Sequence, residues 1–170
     1  LGGIISLLIA FLGLIALLDL ILGWMGGHIN TLFSIHFDWS LRTILGYIFY
    51  PFTLILGVPP SDAIEIAKLL GERTVATEVV SYKNLAQLMA DDALIHPRSA
   101  IIASYALCGF AHFASLAIFI GGISALAPKR MRDLSRIGLR ALLAATLACL
   151  MTGAVAGIFY SSGSILLKGF

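Results

Sequence analysis

The sequence predicts an all-α integral membrane protein that combines spanning helices with a re-entrant helical hairpin and a discontinuous helix. Three observations carry this. The 170 residues are 59% hydrophobic and only 12% charged, with a mean hydropathy of +1.00, far from the composition of a soluble globule. The charges are unevenly placed: 1–27 contains only Asp19 and 137–167 only Arg140. Both stretches exceed the roughly 20 apolar residues that cross about 30 Å of hydrocarbon at about 1.5 Å per residue. Finally, 10 of the 20 charges fall within 61–98, where the pattern stays helical but each run is short. A disordered chain, a secreted disulfide scaffold, a nucleic-acid module and a cytosolic enzyme are disfavoured together. The net charge of +2 gives no reason to expect a polyanionic partner.

The elements follow in order. The chain enters apolar sequence at Leu1 with no basic n-region or small-residue cleavage site, so it reads as the later part of a longer protein. A first spanning helix is expected over 4–25, closed by Gly26-Gly27, with a polar and aromatic connection from His28 to Trp39. Next, 40–57 reads as a helix capped by Ser40. Its cluster of Tyr47, Phe49, Tyr50 and Phe52 around Pro51 favours a position in the membrane interface. After Val58-Pro59-Pro60, Ser61 with Glu65 resembles a capping box, and Gly71 is expected to divide 61–89 into two short helices. A pair this short suits a re-entrant hairpin whose irregular tip is buried in protein or lines a cavity.

Pro97 opens a segment over 98–126 that is long enough to cross, but Gly109, His112, Ser115 and Gly121-Gly122 mark it for interruption. The last spanning helix, 133–160, carries two columns of small residues at steps of four: Ala141, Ala145, Cys149, Gly153 and Gly157, beside Ala144, Ala148, Thr152 and Ala156. Such columns let backbones approach closely. Cys108 and Cys149 lie in apolar helical sequence without C-x-x-C spacing and read as packing residues. Lys129, Arg130, Arg132 and Arg136 place the loop 127–136 in the cytoplasm, which puts 90–98 and the C-terminus outside.

Glu78 is the residue that most needs a reason. It stands in otherwise uncharged sequence expected at membrane depth, where an ionisable group usually faces a cavity or a partner. The alternative is an external amphipathic helix pair with Glu78 solvated. Thr74, Thr77, Glu78 and Ser81 would share one helix face at i, i+3, i+4 and i+7. A carboxylate beside hydroxyls can accept hydrogen bonds from a polyhydroxylated ligand or bind a proton. His112 and Ser115, three apart, are a second polar cluster, and an imidazole can donate and accept at once. A buried histidine satisfied by a neighbouring carbonyl is the bland alternative. Asp19 reads as an interhelical hydrogen-bond partner or an interface residue, and His28 and His36 as solvated. No H-E-x-x-H, G-x-S-x-G or Walker A pattern occurs, so the chain is not read as an enzyme.

At these residues the chain resembles a known family. Gly71-Glu72-Arg73 followed by Thr77-Glu78-Val79-Val80-Ser81-Tyr82 is similar to the Asn-Glu-Phe-Val-Ala-Tyr signature of the concentrative nucleoside transporters. The run Ala106-Leu107-Cys108-Gly109-Phe110-Ala111-His112-Phe113-Ala114-Ser115 resembles that family's Ala-Leu-Cys-Gly-Phe-Ala-Asn-Phe-Ser-Ser. Gly121-Gly122 and Ala127-Pro128-Lys129-Arg130 fit in the same order and spacing. The match corresponds to the family's C-terminal half.

The resemblance implies a sodium- or proton-coupled nucleoside symporter, homotrimeric, in the plasma (inner) membrane, and built from two inverted repeats of which this chain holds one. It implies a scaffold part over 1–57 and a transport-domain repeat over 58–170. It implies that Glu78, His112 and Ser115 bind the ribose, with Thr77 and Phe110 completing the substrate-binding set. No cofactor, protein-bound metal or nucleic acid is implied; the coupling-ion site is expected mainly in the other repeat. Two departures stand out: Thr77 and His112 replace asparagines of the family's motifs. A symporter for another polar metabolite, an intramembrane enzyme using Glu78 and His112 as acid and base, and a non-transporting membrane scaffold are the competing readings.

Overall fold

A computed structural model describes residues 2–33 and 37–160, all helix, turn or loop among those residues. The helices are α1 (Gly2–Phe33), α2 (Leu41–Ile55), α3 (Pro60–Val75), α4 (Glu78–Ala90), α5 (Pro97–Leu107), α6 (Phe113–Leu126) and α7 (Met131–Ile158), with a 3-10 turn (Pro128–Arg130) before α7. His36 and the C-terminal residues from 161 lie outside the described residues, as does the end whose external position the sequence predicts.

The first helix does not stop at Gly26-Gly27. It continues to Phe33, because Gly26 is where Trp39 packs: a Cβ there would collide with the indole. Trp39 Nε1 donates to Asn30 Oδ1 at 2.9 Å, and Asn30 Nδ2 donates to the Phe37 carbonyl at 2.8 Å, so the connection folds back on the helix that precedes it. Asp19 is an interhelical partner: its carboxylate accepts the Leu41 N–H at 2.7 Å. That places an anion at the positive end of α2. Ser40 caps α2 by accepting the Thr43 N–H at 3.2 Å. Beside it, hydrogen bonds from Thr43 and then Ser40 hold the Asp38 carboxyl below its ordinary range.

The chain leaves α2 through a glycine C-cap. Val58 N bonds the Thr53 carbonyl at 3.2 Å and Gly57 N the Leu54 carbonyl at 3.0 Å. Gly57 sits at φ +82°, where any side chain is strained. The chain therefore reverses and α3 runs back antiparallel along α2. A Cβ on Gly46 would lie 2.8 Å from Lys68 Cγ, and one on Gly71 would lie 2.7 Å from Leu45 Cβ. This corrects the expectation that Gly71 divides 61–89. Gly71 is inside α3, where it permits a close crossing, and the break falls at Ala76-Thr77. Ser61 is not a cap either: α3 begins at Pro60, and the Ser61 hydroxyl donates to Asp62. Asp62, 1% exposed, reaches across to the start of α5, accepting from Ile95 N (3.1 Å), His96 N (3.0 Å) and Ser99 Oγ (2.6 Å).

The core lies between α3, α4, α5 and α7, where Ile66, Leu70, Leu85, Ile102, Leu107 and Leu150 meet. Of the two small-residue columns on α7, only the one through Cys149, Gly153 and Gly157 is pressed against α5. The other, through Ala144, Ala148 and Thr152, is exposed. Gly153 sits so close that an added Cβ would be 2.8 Å from Ala106 Cβ and 2.9 Å from the Ile102 carbonyl. Gly153→Val is therefore expected to destabilise the purified full-length protein by about 1–3 kcal/mol, lowering its thermal midpoint by at least about 2 °C. An unchanged midpoint would refute this packing account.

Leu14, Leu20 and Trp24 on α1, with Leu143, Leu147 and Met151 on α7, are exposed along two helices long and apolar enough to cross a membrane. Water does not tolerate so much contiguous apolar surface; lipid or further protein covers it.

Candidate functional site

The site is built where two helix starts converge. The turn at Ala76-Thr77 reverses the chain between α3 and α4, so Thr77 is the N-cap of α4 and Glu78 its first residue. The break between α5 and α6 runs from Cys108 to His112, so His112 is the N-cap of α6. Gly109 serves this break through close approach, since a Cβ there would collide with Cys149 Sγ on α7.

His112 is fixed by its own cap. Its Nδ1 accepts the Ser115 N–H at 3.1 Å, and Ser115 Oγ accepts the His112 N–H at 3.1 Å, a reciprocal capping box. An Nδ1 that accepts leaves the neutral ring's proton on Nε2. That Nε2 faces Glu78 Oε2 at 2.9 Å. The N–H is not aimed along this line, and neither atom has a directed hydrogen-bond partner among the described residues. The histidine side chain is 1% exposed and the glutamate 26%. A buried donor and a half-buried acceptor thus stand side by side with capacity unspent. Both helix starts point their positive ends at the pair, which favours the carboxylate.

Of the residues predicted for the site, Glu78 and His112 are brought together. Ser115 is adjacent but committed. It is 2% exposed, and besides accepting from His112 its hydroxyl has the Phe110 (2.8 Å) and His112 (2.6 Å) carbonyls within donating reach. Thr77 is half-buried and its side chain makes no cap bond. Phe110 is 50% exposed and meets the His112 ring edge-on at 4.8 Å. The expected stripe of Thr74, Thr77, Glu78 and Ser81 is not a single helix face. The chain turns at Ala76-Thr77, Thr74 bonds back to the Leu70 carbonyl on α3, and Ser81 is turned inward to the Leu69 carbonyl.

A cleft of about 300 Å³ opens between α6 and α7 from Phe110 and Ser115, walled by Leu116, Phe119, Leu142 and other apolar residues. It lies beside the polar pair, not around it, and Ser115 is the only polar residue among the described residues that line it. Its walls can accept an apolar ring but cannot recognise a hydroxyl. Among the described residues no group of three or more His, Cys, Asp or Glu is placed to hold a metal.

Sequence reasoning missed Arg73 and Tyr82, which enter this neighbourhood from α3 and α4. The available signal was a cation five residues before Glu78, but it stands next to Glu72 and reads in sequence as half of a local charge pair.

Comparison with known proteins agrees with the geometry. Residues 1–157 match the family model described as the C-terminus of Na+ dependent nucleoside transporters. Solute carrier family 28 member 3 of Mus musculus is 40% identical over 163 residues, covering 89% of this chain and 22% of the relative. The uncharacterized transporter YutK of Bacillus subtilis is 40% identical over 154 residues, covering 91% of this chain and 36% of that protein. Among solved structures, a single-substitution variant of CNTnw in the intermediate 2 state superposes with a TM-score of 0.83 at 36% identity, covering 93% of this chain and 38% of that one. The chain thus spans between about a fifth and two fifths of the length of these relatives. With the family model covering nearly its whole length, and both its hairpin and its broken helix carrying the motifs at the converging helix starts, this chain belongs to the Na+ dependent nucleoside transporter family, as part of its C-terminal region.

Proposed function

We propose that this chain supplies the sugar-binding side of a cation-coupled nucleoside importer. One observation carries the reading: Glu78 and His112 meet at two helix starts with an acceptor and a donor unspent. A vicinal diol suits that pair, because its hydroxyls can donate to the carboxylate while one of them accepts from Nε2. Ser115 acts by holding His112 in its donor tautomer, and the Thr77 hydroxyl and Phe110 ring border the same space. The base, the coupling sodium ion or proton, and the partner repeat belong to the rest of the protein. The exposed apolar faces of α1 and α7 support a lipid-embedded protein; the homotrimer and the plasma (inner) membrane are carried by the family resemblance, and the cytoplasmic position of 127–136 by its basic residues. The glycine-lined packing of α2 on α3 supports grouping α2 with the moving unit, so that its boundary falls between α1 and α2 instead of at 57/58. Within that unit α3 and α4 form the re-entrant hairpin.

The test is uptake of tritiated uridine into proteoliposomes holding the full-length protein, under imposed sodium or proton gradients. Accumulation of chemically unchanged uridine is expected under one of them. Nucleosides should compete, and analogues lacking a ribose hydroxyl should compete at least about tenfold less well. Absence of gradient-driven accumulation, or competition by free bases or unrelated metabolites but not by nucleosides, would overturn the reading.

A further inference from the structure

We propose that Arg73 and Tyr82 are positioning residues: from the hairpin they cap the cut end of α5, and so set where His112 meets Glu78. The functional part of this proposal rests on the reading of that pair as a ligand site.

Breaking a helix leaves its last four carbonyls without intrahelical donors. For α5 these are Ser104, Tyr105, Ala106 and Leu107, the last two on fully buried residues. Two are satisfied by the chain itself: Cys108 N bonds the Tyr105 carbonyl at 3.3 Å and Gly109 N the Leu107 carbonyl at 2.7 Å. The other two depend on the hairpin. The Tyr82 hydroxyl donates to the Ser104 carbonyl at 2.6 Å, and Arg73 Nη1 donates to the Ala106 carbonyl at 2.6 Å. All four acceptors are thereby accounted for, two of them across more than 20 residues of sequence.

The charges follow the same logic. Arg73 is 0% exposed, stands in the last turn of α3, and has no directed partner for Nε or Nη2 among the described residues. What offsets its charge is its position at the carbonyl-rich ends of α3 and α5. Glu78 stands at the amide-rich starts of α4 and α6. The hairpin tip and the helix break therefore form one junction of four helix ends, with a cation on the two C-terminal ends and an anion near the two N-terminal ones. Pulling the hairpin away from α5 would strip the buried Ala106 carbonyl and the part-buried Ser104 carbonyl of their donors. The hairpin tip and the broken helix thus move as one body, with the spacing of Glu78 and His112 fixed by two residues that need not touch the ligand.

Full-length protein carrying Arg73→Met, Arg73→Lys or Tyr82→Phe tests this by amide hydrogen exchange over residues 108–116 and by uptake kinetics with uridine. Arg73→Met and Tyr82→Phe are expected to speed exchange in that segment at least about tenfold while α7 peptides stay protected. KM should rise at least about fivefold with kcat changed less than about twofold. Arg73→Lys should stay near wild type in both, because an ammonium can reach the same carbonyl. Tyr82→Phe removes a single oxygen and carries the test should Arg73→Met fail to fold. Unchanged exchange in Tyr82→Phe and in folded Arg73→Met, or an Arg73→Lys variant as impaired as Arg73→Met, would overturn the proposal. If wild-type protein binds no uridine, the sugar-site reading fails on its own, and the exchange comparison still decides whether the two caps hold the break.

Discussion

Glu78→Gln in the full-length protein is expected to lower nucleoside uptake at subsaturating substrate at least about 100-fold. Glutamine keeps the shape and one acceptor oxygen but loses the charge. A hydrogen bond to a charged group contributes about 1.5–3 kcal/mol, so losing one of the two to a diol, because the amide nitrogen cannot accept, and weakening the other costs about 3 kcal/mol. The change also removes the anion from two converging helix starts, an effect of about 0.3–1 kcal/mol at each. Because the side chain begins a helix and is partly exposed, the fold should survive the substitution. Radiolabelled uptake beside a thermal-unfolding control decides the matter. Uptake within threefold of wild type would remove Glu78 from the sugar site.

The second large effect concerns His112, one of the two residues at which this chain departs from the motifs it resembles. His112→Leu should reduce uptake at least about 30-fold, from loss of an N-cap worth about 1 kcal/mol and of a donor worth about 1 kcal/mol or more. His112→Asn should behave quite differently. Its Oδ1 can accept the Ser115 N–H as Nδ1 does now, and its Nδ2 offers a donor on the side where Nε2 now faces Glu78. Uptake within about fivefold of wild type is therefore expected, with altered preference among sugar analogues, since the shorter amide leaves more room beside the carboxylate. If Asn and Leu prove equally damaging, the cap-and-donor account of this histidine is wrong.

Two features of the site were legible in the chain and two were not. A carboxylate in apolar sequence and a histidine beside glycine in a span are costly enough to draw notice on composition alone. That His112 is a cap was not legible, because capping depends on where the helix is cut, and several glycines offered themselves as the cut. Ser115 shows the same difficulty. Its hydroxyl reads as a ligand group in sequence, yet in the fold it is taken up by the backbone of its own helix start.

Glycine marks the limit most clearly. Gly71 and Gly26 look like breakers, but both lie inside helices because a neighbour, Leu45 in one case and Trp39 in the other, occupies the space a side chain would fill. On α7 the two columns of small residues are indistinguishable by spacing, and only the arrival of α5 on one of them tells them apart.

The sequence by itself determined the membrane class, the succession of helices, the presence of a short helical pair and a broken helix, and the identity of Glu78 and His112 as the polar groups to watch. All of these follow from hydropathy and charge along the chain, which are local quantities. Tertiary structure decided where the hairpin turns, that α2 packs on α3, which way the His112 tautomer points, and that Arg73 and Tyr82 close the end of α5. Each of these is set by contacts between residues distant in the chain, and a backbone carbonyl left bare by a helix break carries no mark in the sequence of the side chain that will satisfy it.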